Sequence, residues 1–220
     1  MTVLSVIIPV YYNQESLPLL YQRLNLISKK MKDIKLEMLL VDDGSGDDSY
    51  KILTNLAKKD NRIKIIKLTR NFGSFTACLA GLTYAKGDCA VIMAADLQDP
   101  PELIYDFFLK WKKGNDVVFA VREKREEKKL NILLSNLFYK IFRVIALKNM
   151  PKQGFDFVLI SRKVIDYLVS SREKNSSIMG QILWAGFKTD QIMYTKTARP
   201  YGHSRWNLAK KIKYSLDSIM

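Results

Sequence analysis

Histidine and cysteine are nearly missing from this chain: 220 residues hold one histidine and two cysteines. Cys78 and Cys89 lie in apolar contexts with no metal-ligand spacing. They give no sign of a thiolate metal centre, and they fit a reduced cytosolic compartment. The single histidine, His203, lies inside a basic segment and suits contact with phosphate or solvent better than general-base work. No run of 18 apolar residues occurs, so nothing here spans a bilayer as a helix, although a chain can still lie on one. No basic region precedes the first strand, which Met1-Thr2-Val3 enters directly, so no signal peptide is expected. Acids are also scarce. Asp plus Glu number 22 against 36 Lys plus Arg, a net charge of +14. From Gln191 to Leu216 there is no acid at all, while Lys196, Arg199, Arg205, Lys210, Lys211 and Lys213 are basic.

That excess fits nucleic acid, an anionic membrane surface or phosphate-bearing substrates. No nucleic-acid module signature accompanies the charge, so nucleic acid is set aside. The length suits one domain, or one domain with an appendage. At 48% hydrophobic residues, the chain can bury a sizeable core.

The first half alternates strand and helix patterns. Strands are expected at 4–10, from 35 towards the acids and glycines of 42–46, and at 63–68, 89–93 and 116–121. Helices are expected at 16–31, 49–59, 74–87 (closed by Gly87) and 101–111 (starting at proline). Continuous apolar strands separated by helices predict a mostly parallel α/β sheet covered on both faces. Ligands of such sheets bind beyond the carboxyl ends of the strands. Asp42-Asp43, Arg70-Asn71 and Asp96-Leu97-Gln98 all fall there. In the second half a charge run at 122–129 precedes an amphipathic helical stretch, 130–148, with Lys140, Arg143 and Lys148 among bulky apolar residues. Short strands are expected at 155–160 and 190–195, with two helices between them.

Three stretches carry chemistry. In "VDDGSGDDS" (41–49), two carboxylates at a strand end can accept hydrogen bonds from a base N–H and ribose hydroxyls, and Gly44 and Gly46 allow a tight turn. The same residues would also make a solvated turn and helix cap. In "LTRNFGSFTA" (68–77), Arg70 can reach a phosphate, and Gly73 and Ser74 precede a helix whose N–H groups favour an anion. A capping loop with a surface arginine is the plainer reading. In "MAADLQDPPEL" (93–103), oxygen ligands follow an apolar strand. Asp96 and Gln98 are two apart, so on an extended segment they point the same way. Such oxygens suit Mg²⁺ or Mn²⁺. Asp99-Pro100-Pro101 also reads as a helix entry.

Together and in this order, "SVIIPVYYNQESL", "LLVDDGSGDDS", "RNFG", the "GD" at 87–88 and "ADLQDPPEL" resemble the family-2 glycosyltransferases of GT-A fold. The polyisoprenyl-phosphate glycosyltransferases, the dolichol-phosphate mannose synthase and bactoprenol glucosyltransferase group, are the most similar. "VREKR" (121–125), "FDFVLISRKV" (155–164) and "RPYGHSRWN" (199–207) extend the likeness over nearly the whole chain. The resemblance implies that Pro9, Tyr11 or Tyr12, and Glu15 line the base pocket, with Asp42 or Asp43 at base and ribose. It implies that Asp96 holds the divalent metal, with Gln98 beside it, and that Arg122 and Arg125 face the acceptor phosphate. It places Arg199, Ser204 and Arg205 on a segment that closes over the diphosphates. Arg70, Asn71 and Gly73 join the donor side. Two departures stand out: the tyrosine is doubled, and Ala94 replaces the first acid of the family's Asp-x-Asp.

A hydroxyl acceptor needs a positioned base, whereas a lipid phosphate is already anionic and needs cations that hold it in line. The chain is rich in such cations, and Asp156 is the best candidate base if a hydroxyl is used. The expected architecture is one continuous catalytic domain, with a nucleotide-sugar-binding half (1–125) and an acceptor-binding half (126–220) that carries amphipathic interfacial helices. The expected activity is inverting, metal-dependent transfer from a nucleotide-sugar, a UDP-sugar such as UDP-glucose favoured, to a polyprenyl phosphate at the cytoplasmic membrane face. Basic residues beside an anionic surface favour that location. The alternatives are a family-2 enzyme acting on a sugar hydroxyl and a membrane-associated nucleotide-sugar-binding protein without turnover. Similar proteins often continue into transmembrane helices, so the stop at Met220 suggests a truncated piece or a naturally short member. Oligomeric state, including a homo-oligomer, is left open.

Overall fold

The computed structural model describes residues 1–123, 157–171 and 178–201. Seven strands and six helices occur within them. They run β1 (Thr2–Val10), α1 (Leu17–Lys30), β2 (Ile34–Asp42), α2 (Ser49–Lys59), β3 (Ile63–Lys67), α3 (Ser74–Tyr84), β4 (Cys89–Ile92), α4 (Leu103–Lys112) and β5 (Val117–Arg122). After the next described segment begins come β6 (Val158–Ser161), α5 (Arg162–Ser170), α6 (Ile178–Trp184) and β7 (Thr189–Tyr194). The amphipathic stretch 130–148 and the basic stretch after 201 lie outside the described residues.

One sheet has the order β3-β2-β1-β4-β6-β5-β7. β1 pairs in parallel with β2 and β4, β2 with β3, and β5 with β7. β6 alone runs against its neighbours β4 and β5. Six strands therefore deliver their carboxyl ends to one edge, and β6 begins there.

The strands read as unbroken apolar runs because both faces are covered. One face packs Leu4, Val6 and Ile8 of β1 against Leu20 and Leu24 of α1, Leu53 of α2 and Phe107 of α4. The other packs Ile7, Leu39 and Ile92 against Leu82 of α3, Leu168 of α5 and Ile182 of α6. Each such buried side chain contributes about 1.5–3 kcal/mol of transfer free energy.

Two helix ends differ from the sequence reading. α3 stops at Tyr84, and Gly87 is not its cap. A Cβ at Gly87 would lie 2.5 Å from the Ser5 hydroxyl, so this glycine serves the close passage of the chain past β1 on its way into β4. The two prolines precede α4 rather than start it: Leu103 and Ile104 donate backbone hydrogen bonds to Pro100 and Pro101 (3.2 and 3.0 Å).

Candidate active site

The loops beyond the carboxyl ends of β1, β2, β3, β4, β5 and β7 meet at one edge. β1 and β2 are stitched first. The Tyr12 amide donates to the Ser45 hydroxyl (3.1 Å), the Asn13 amide to the Ser49 hydroxyl (2.9 Å) and the Asp48 amide to Gln14 (2.9 Å). Tyr12 adopts a left-handed backbone, φ 56°, which a bulky residue adopts only where its surroundings impose it. A Cβ on Gly46 would lie 2.6 Å from the Tyr12 hydroxyl, so that glycine keeps room for the ring. Tyr11 meets Tyr12 edge-on, with centroids 4.7 Å apart. Glu15 is exposed at the approach to α1. Pro9 sits one residue before the end of β1, opposite Val41.

The two acids that end β2 part company. The Asp43 carboxylate accepts hydrogen bonds from the Asn71 amide group (2.8 Å) and the backbone N–H groups of Phe72 (2.7 Å) and Gly73 (2.9 Å). It is 3% exposed. Two loop amides just ahead of α3, those of Phe72 and Gly73, are thus taken up by the chain's own carboxylate. Asp42 is wholly buried. Its Oδ1 accepts the Ser45 amide at 3.3 Å, and its Oδ2 has no hydrogen-bond partner among the described residues. A buried carboxylate oxygen in that condition carries a desolvation cost that a ligand donor would relieve. Gly44, φ 71°, brings the β2 turn against the β3 loop: a Cβ there would stand 2.6 Å from the Arg70 carbonyl carbon. Arg70 is exposed and stacks its guanidinium 4.1 Å over the Phe72 ring.

After β4 the chain turns rather than extends. Leu97 has φ 62° and is 2% exposed. The Gln98 amide donates to Asp96 Oδ1 at 3.1 Å. The expectation that Asp96 and Gln98 align along an extended segment is therefore corrected: Asp96 makes a side-chain turn around a buried leucine. Its Oδ2 takes Arg199 at 2.7 Å.

The 194–199 segment is fastened along this loop. The Thr197 hydroxyl donates to the Leu97 and Gln98 carbonyls, both at 3.1 Å. The Thr197 amide also donates to the Gln98 carbonyl (3.1 Å), and Gln98 Nε2 donates back to the Thr197 carbonyl (3.3 Å). Asp99, fully buried, accepts the Tyr194 hydroxyl at 2.5 Å and faces Lys196 at 3.6 Å. The sequence reading gave Asp99 to a helix entry and passed over Thr197 and Tyr194. The one available signal was the acid before two prolines; nothing in the sequence pairs it with β7.

Arg122 ends β5 opposite Tyr194. Phe157, the residue after Asp156, is buried at the same edge, its ring 4.7 Å from that of Phe107. Arg125, Asp156, Ser204 and Arg205 lie outside the described residues. Near the site, burial first and the Asp43 charge second push the Cys78 thiol up to about 12. Burial likewise raises Cys89. Neither is a thiolate near neutral pH.

The Asp96 turn offers one carboxylate, Asp96, and one carboxamide, Gln98, while the buried Asp99 is turned to Tyr194 and Lys196. No group of three or more His, Cys, Asp or Glu gathers as a metal site among the described residues. One carboxylate with a neighbouring carboxamide fits Mg²⁺ or Mn²⁺, ions that keep their remaining positions for substrate phosphates and water.

A mostly parallel sheet covered on both faces, with acids and arginines ranged along its carboxyl edge, is the architecture shared with the GT-A glycosyltransferases of known structure that it matches. The chain belongs to glycosyl transferase family 2, whose model matches residues 5–169. It is 39% identical over 216 residues to the uncharacterized glycosyltransferase YkcC of Bacillus subtilis, covering 98% of this chain and 67% of that protein. It is 32% identical over 217 residues to the bactoprenol glucosyl transferase of Shigella phage SfX, covering 98% and 71%. The chain thus spans about two thirds of its relatives' length. Among solved structures, glucosyl-3-phosphoglycerate synthase of Mycobacterium tuberculosis, in complex with Mn²⁺, UDP-glucose and phosphoglyceric acid, matches with TM-score 0.63 at 12% identity, over 98% of this chain and 76% of that one. The mannosyltransferase PcManGT of Pyrobaculum calidifontis, with GDP-mannose and Mn²⁺, matches with TM-score 0.59 at 18% identity, over 90% and 58%.

Proposed function

We propose that this chain transfers a sugar from a nucleotide-sugar, UDP-glucose favoured, to a polyprenyl phosphate at the cytoplasmic face of a membrane, with inversion at the anomeric carbon. The observation that carries this reading is the match to the phage SfX bactoprenol glucosyl transferase over 98% of the chain. Among the described residues no helix is long and apolar enough to cross a membrane, and the basic stretches beyond them supply charge for an anionic surface.

The nucleoside enters beside Tyr11 and Tyr12, and its base N–H or ribose hydroxyls satisfy the buried Asp42 Oδ2. Asp43 holds the 71–73 loop and makes no direct contact. Asp96, with Gln98 beside it, would hold a divalent ion, which would supply positive charge to the departing diphosphate. Arg122 and Arg125 orient the acceptor phosphate, and Arg199 and Arg205 the diphosphate. An anionic acceptor needs no proton removed, so no base is required and positioned cations suffice.

A donor screen with polyprenyl phosphate in detergent, reading lipid-linked sugar by mass, tests this reading. A lipid-linked hexose from one nucleotide-sugar is the expected result. Transfer only to a sugar hydroxyl, or to nothing with any donor, overturns it.

A further inference from the structure

We propose that Arg199 is a cation placeholder that couples metal binding to nucleotide binding. Its guanidinium holds the Asp96 carboxylate until a divalent ion takes that oxygen, and it then moves to the donor's diphosphate. The proposal rests on the nucleotide-sugar reading above and goes beyond it.

Three observations carry it. Both Asp96 oxygens are engaged, Oδ1 by the Gln98 amide at 3.1 Å and Oδ2 by Arg199 at 2.7 Å. A metal approaching Asp96 therefore competes with a guanidinium for Oδ2. The pair is largely shielded, the side chains being 13% and 26% exposed, so the competition is only partly screened by water. Finally, Thr197 anchors the backbone two residues earlier, to the Leu97 and Gln98 carbonyls. Arg199 can swing its long side chain while that anchor stays in place.

Ala94 makes the exchange depend on the donor. With no acid at 94, Asp96 is the one carboxylate that this turn offers. Exchanging a monovalent guanidinium for a divalent ion at a single carboxylate strands both the excess charge and the arginine. A nucleoside diphosphate supplies the missing anion and a forked target for the guanidinium. Metal alone therefore binds weakly and metal with diphosphate tightly, and the coupling is reciprocal.

Calorimetric titration of the chain with MnCl₂, alone and with saturating UDP, tests this. Arg199→Ala should tighten Mn²⁺ alone about fivefold, the upper worth of a partly exposed pair. It should leave Mn²⁺ affinity in the presence of UDP unchanged, so that the coupling factor falls about fivefold. Arg199→Lys, which keeps the charge without the fork, should fall between. Melting curves verify each fold, and Arg199→Gln replaces the alanine variant if that one fails to fold. Unchanged, weaker or absent Mn²⁺ binding by Arg199→Ala without UDP overturns the placeholder, as does coupling equal to wild type. Failure of the wild type to bind either UDP or GDP overturns the nucleotide-sugar reading instead, and the metal-only comparison still judges Arg199.

Discussion

The Asp43 carboxylate accepts the Phe72 backbone amide at 2.7 Å, joining the end of β2 to the loop before α3 across 29 residues of chain. Two further donors, from Asn71 and Gly73, fill its other oxygen. Asp43→Asn offers one acceptor where two are used, and it brings in two donors that face donors. The loop should loosen at a cost of about 1–3 kcal/mol, the penalty for leaving buried groups unsatisfied. A lowered urea midpoint with an unchanged m-value is the expected result; an unchanged midpoint removes Asp43 from this role.

Asp42 should behave oppositely although it is the adjacent residue. Its Oδ2 is buried without a partner among the described residues, so Asp42→Asn removes an uncompensated charge. Thermal stability should hold or rise, while UDP affinity falls about tenfold or more as the acceptor for the nucleoside is lost. Paired melting and titration experiments check this. Equal nucleotide affinity in both proteins would take Asp42 out of the pocket.

This division of labour shows where sequence reading stops. The alternation of apolar strands and helices made the layered sheet legible, because burial on both faces leaves a continuous apolar signature. The strand-end placement of Asp42, Asp43, Asp96 and Gln98 followed from the same pattern. The antiparallel insertion of β6 between β4 and β5 was not legible, since a short buried strand reads alike in either direction. Nor was the left-handed Leu97, which turns Asp96 toward Arg199. Residue spacing assumes regular backbone, and a strained turn breaks that assumption. The contacts of Tyr194 and Thr197 with the 97–99 loop depend on β7 pairing with β5, a relation between distant segments.

Away from the site, Asp60 ties β3 to α1. Hydrogen bonds from Arg62, above all, hold its carboxyl at about 2, below the ordinary 3.8. Arg62 also reaches Ser28 and Asn25 of α1. A depressed carboxylate pKa stabilises the fold above the unfolded value, and that stability is lost as pH falls through the folded value. Asp60→Asn should therefore cost roughly 2 kcal/mol at neutral pH. The difference from wild type should shrink between about pH 4 and pH 2. Urea melts across that range measure it, and a pH-independent difference would rule out the ion pair as its source.

At the β4 turn, Asp96→Asn should abolish metal-dependent donor binding with the fold intact, because the amide is a poorer ligand and no second carboxylate replaces it. Ala94→Asp should tighten Mn²⁺ binding by adding an oxygen and a negative charge, without being needed for turnover. Calorimetry with UDP-glucose and Mn²⁺ reads both variants. A wild type inactive on every donor, with activity gained by Ala94→Asp, would mean that the chain binds nucleotide-sugar without turning it over.

The acceptor class is decided by comparing two sets of side chains. If the nucleophile is a lipid phosphate, alanine at both Arg122 and Arg125 should destroy turnover while donor binding survives. Those cations would orient and neutralise the attacking anion. Asp156→Asn should then matter little, because no proton has to be taken. If the nucleophile is a sugar hydroxyl the order reverses, and loss of the base at Asp156 costs about 10²- to 10⁴-fold. Arg122 ends β5 beside the fastened 194–199 segment, so it also lies within reach of a role on the donor. In that case donor affinity and turnover would fall together. Each variant therefore needs two measurements, donor affinity and single-turnover rate at saturating acceptor. A severe loss in Asp156→Asn beside near-normal turnover in the double arginine variant would exclude the phosphate acceptor.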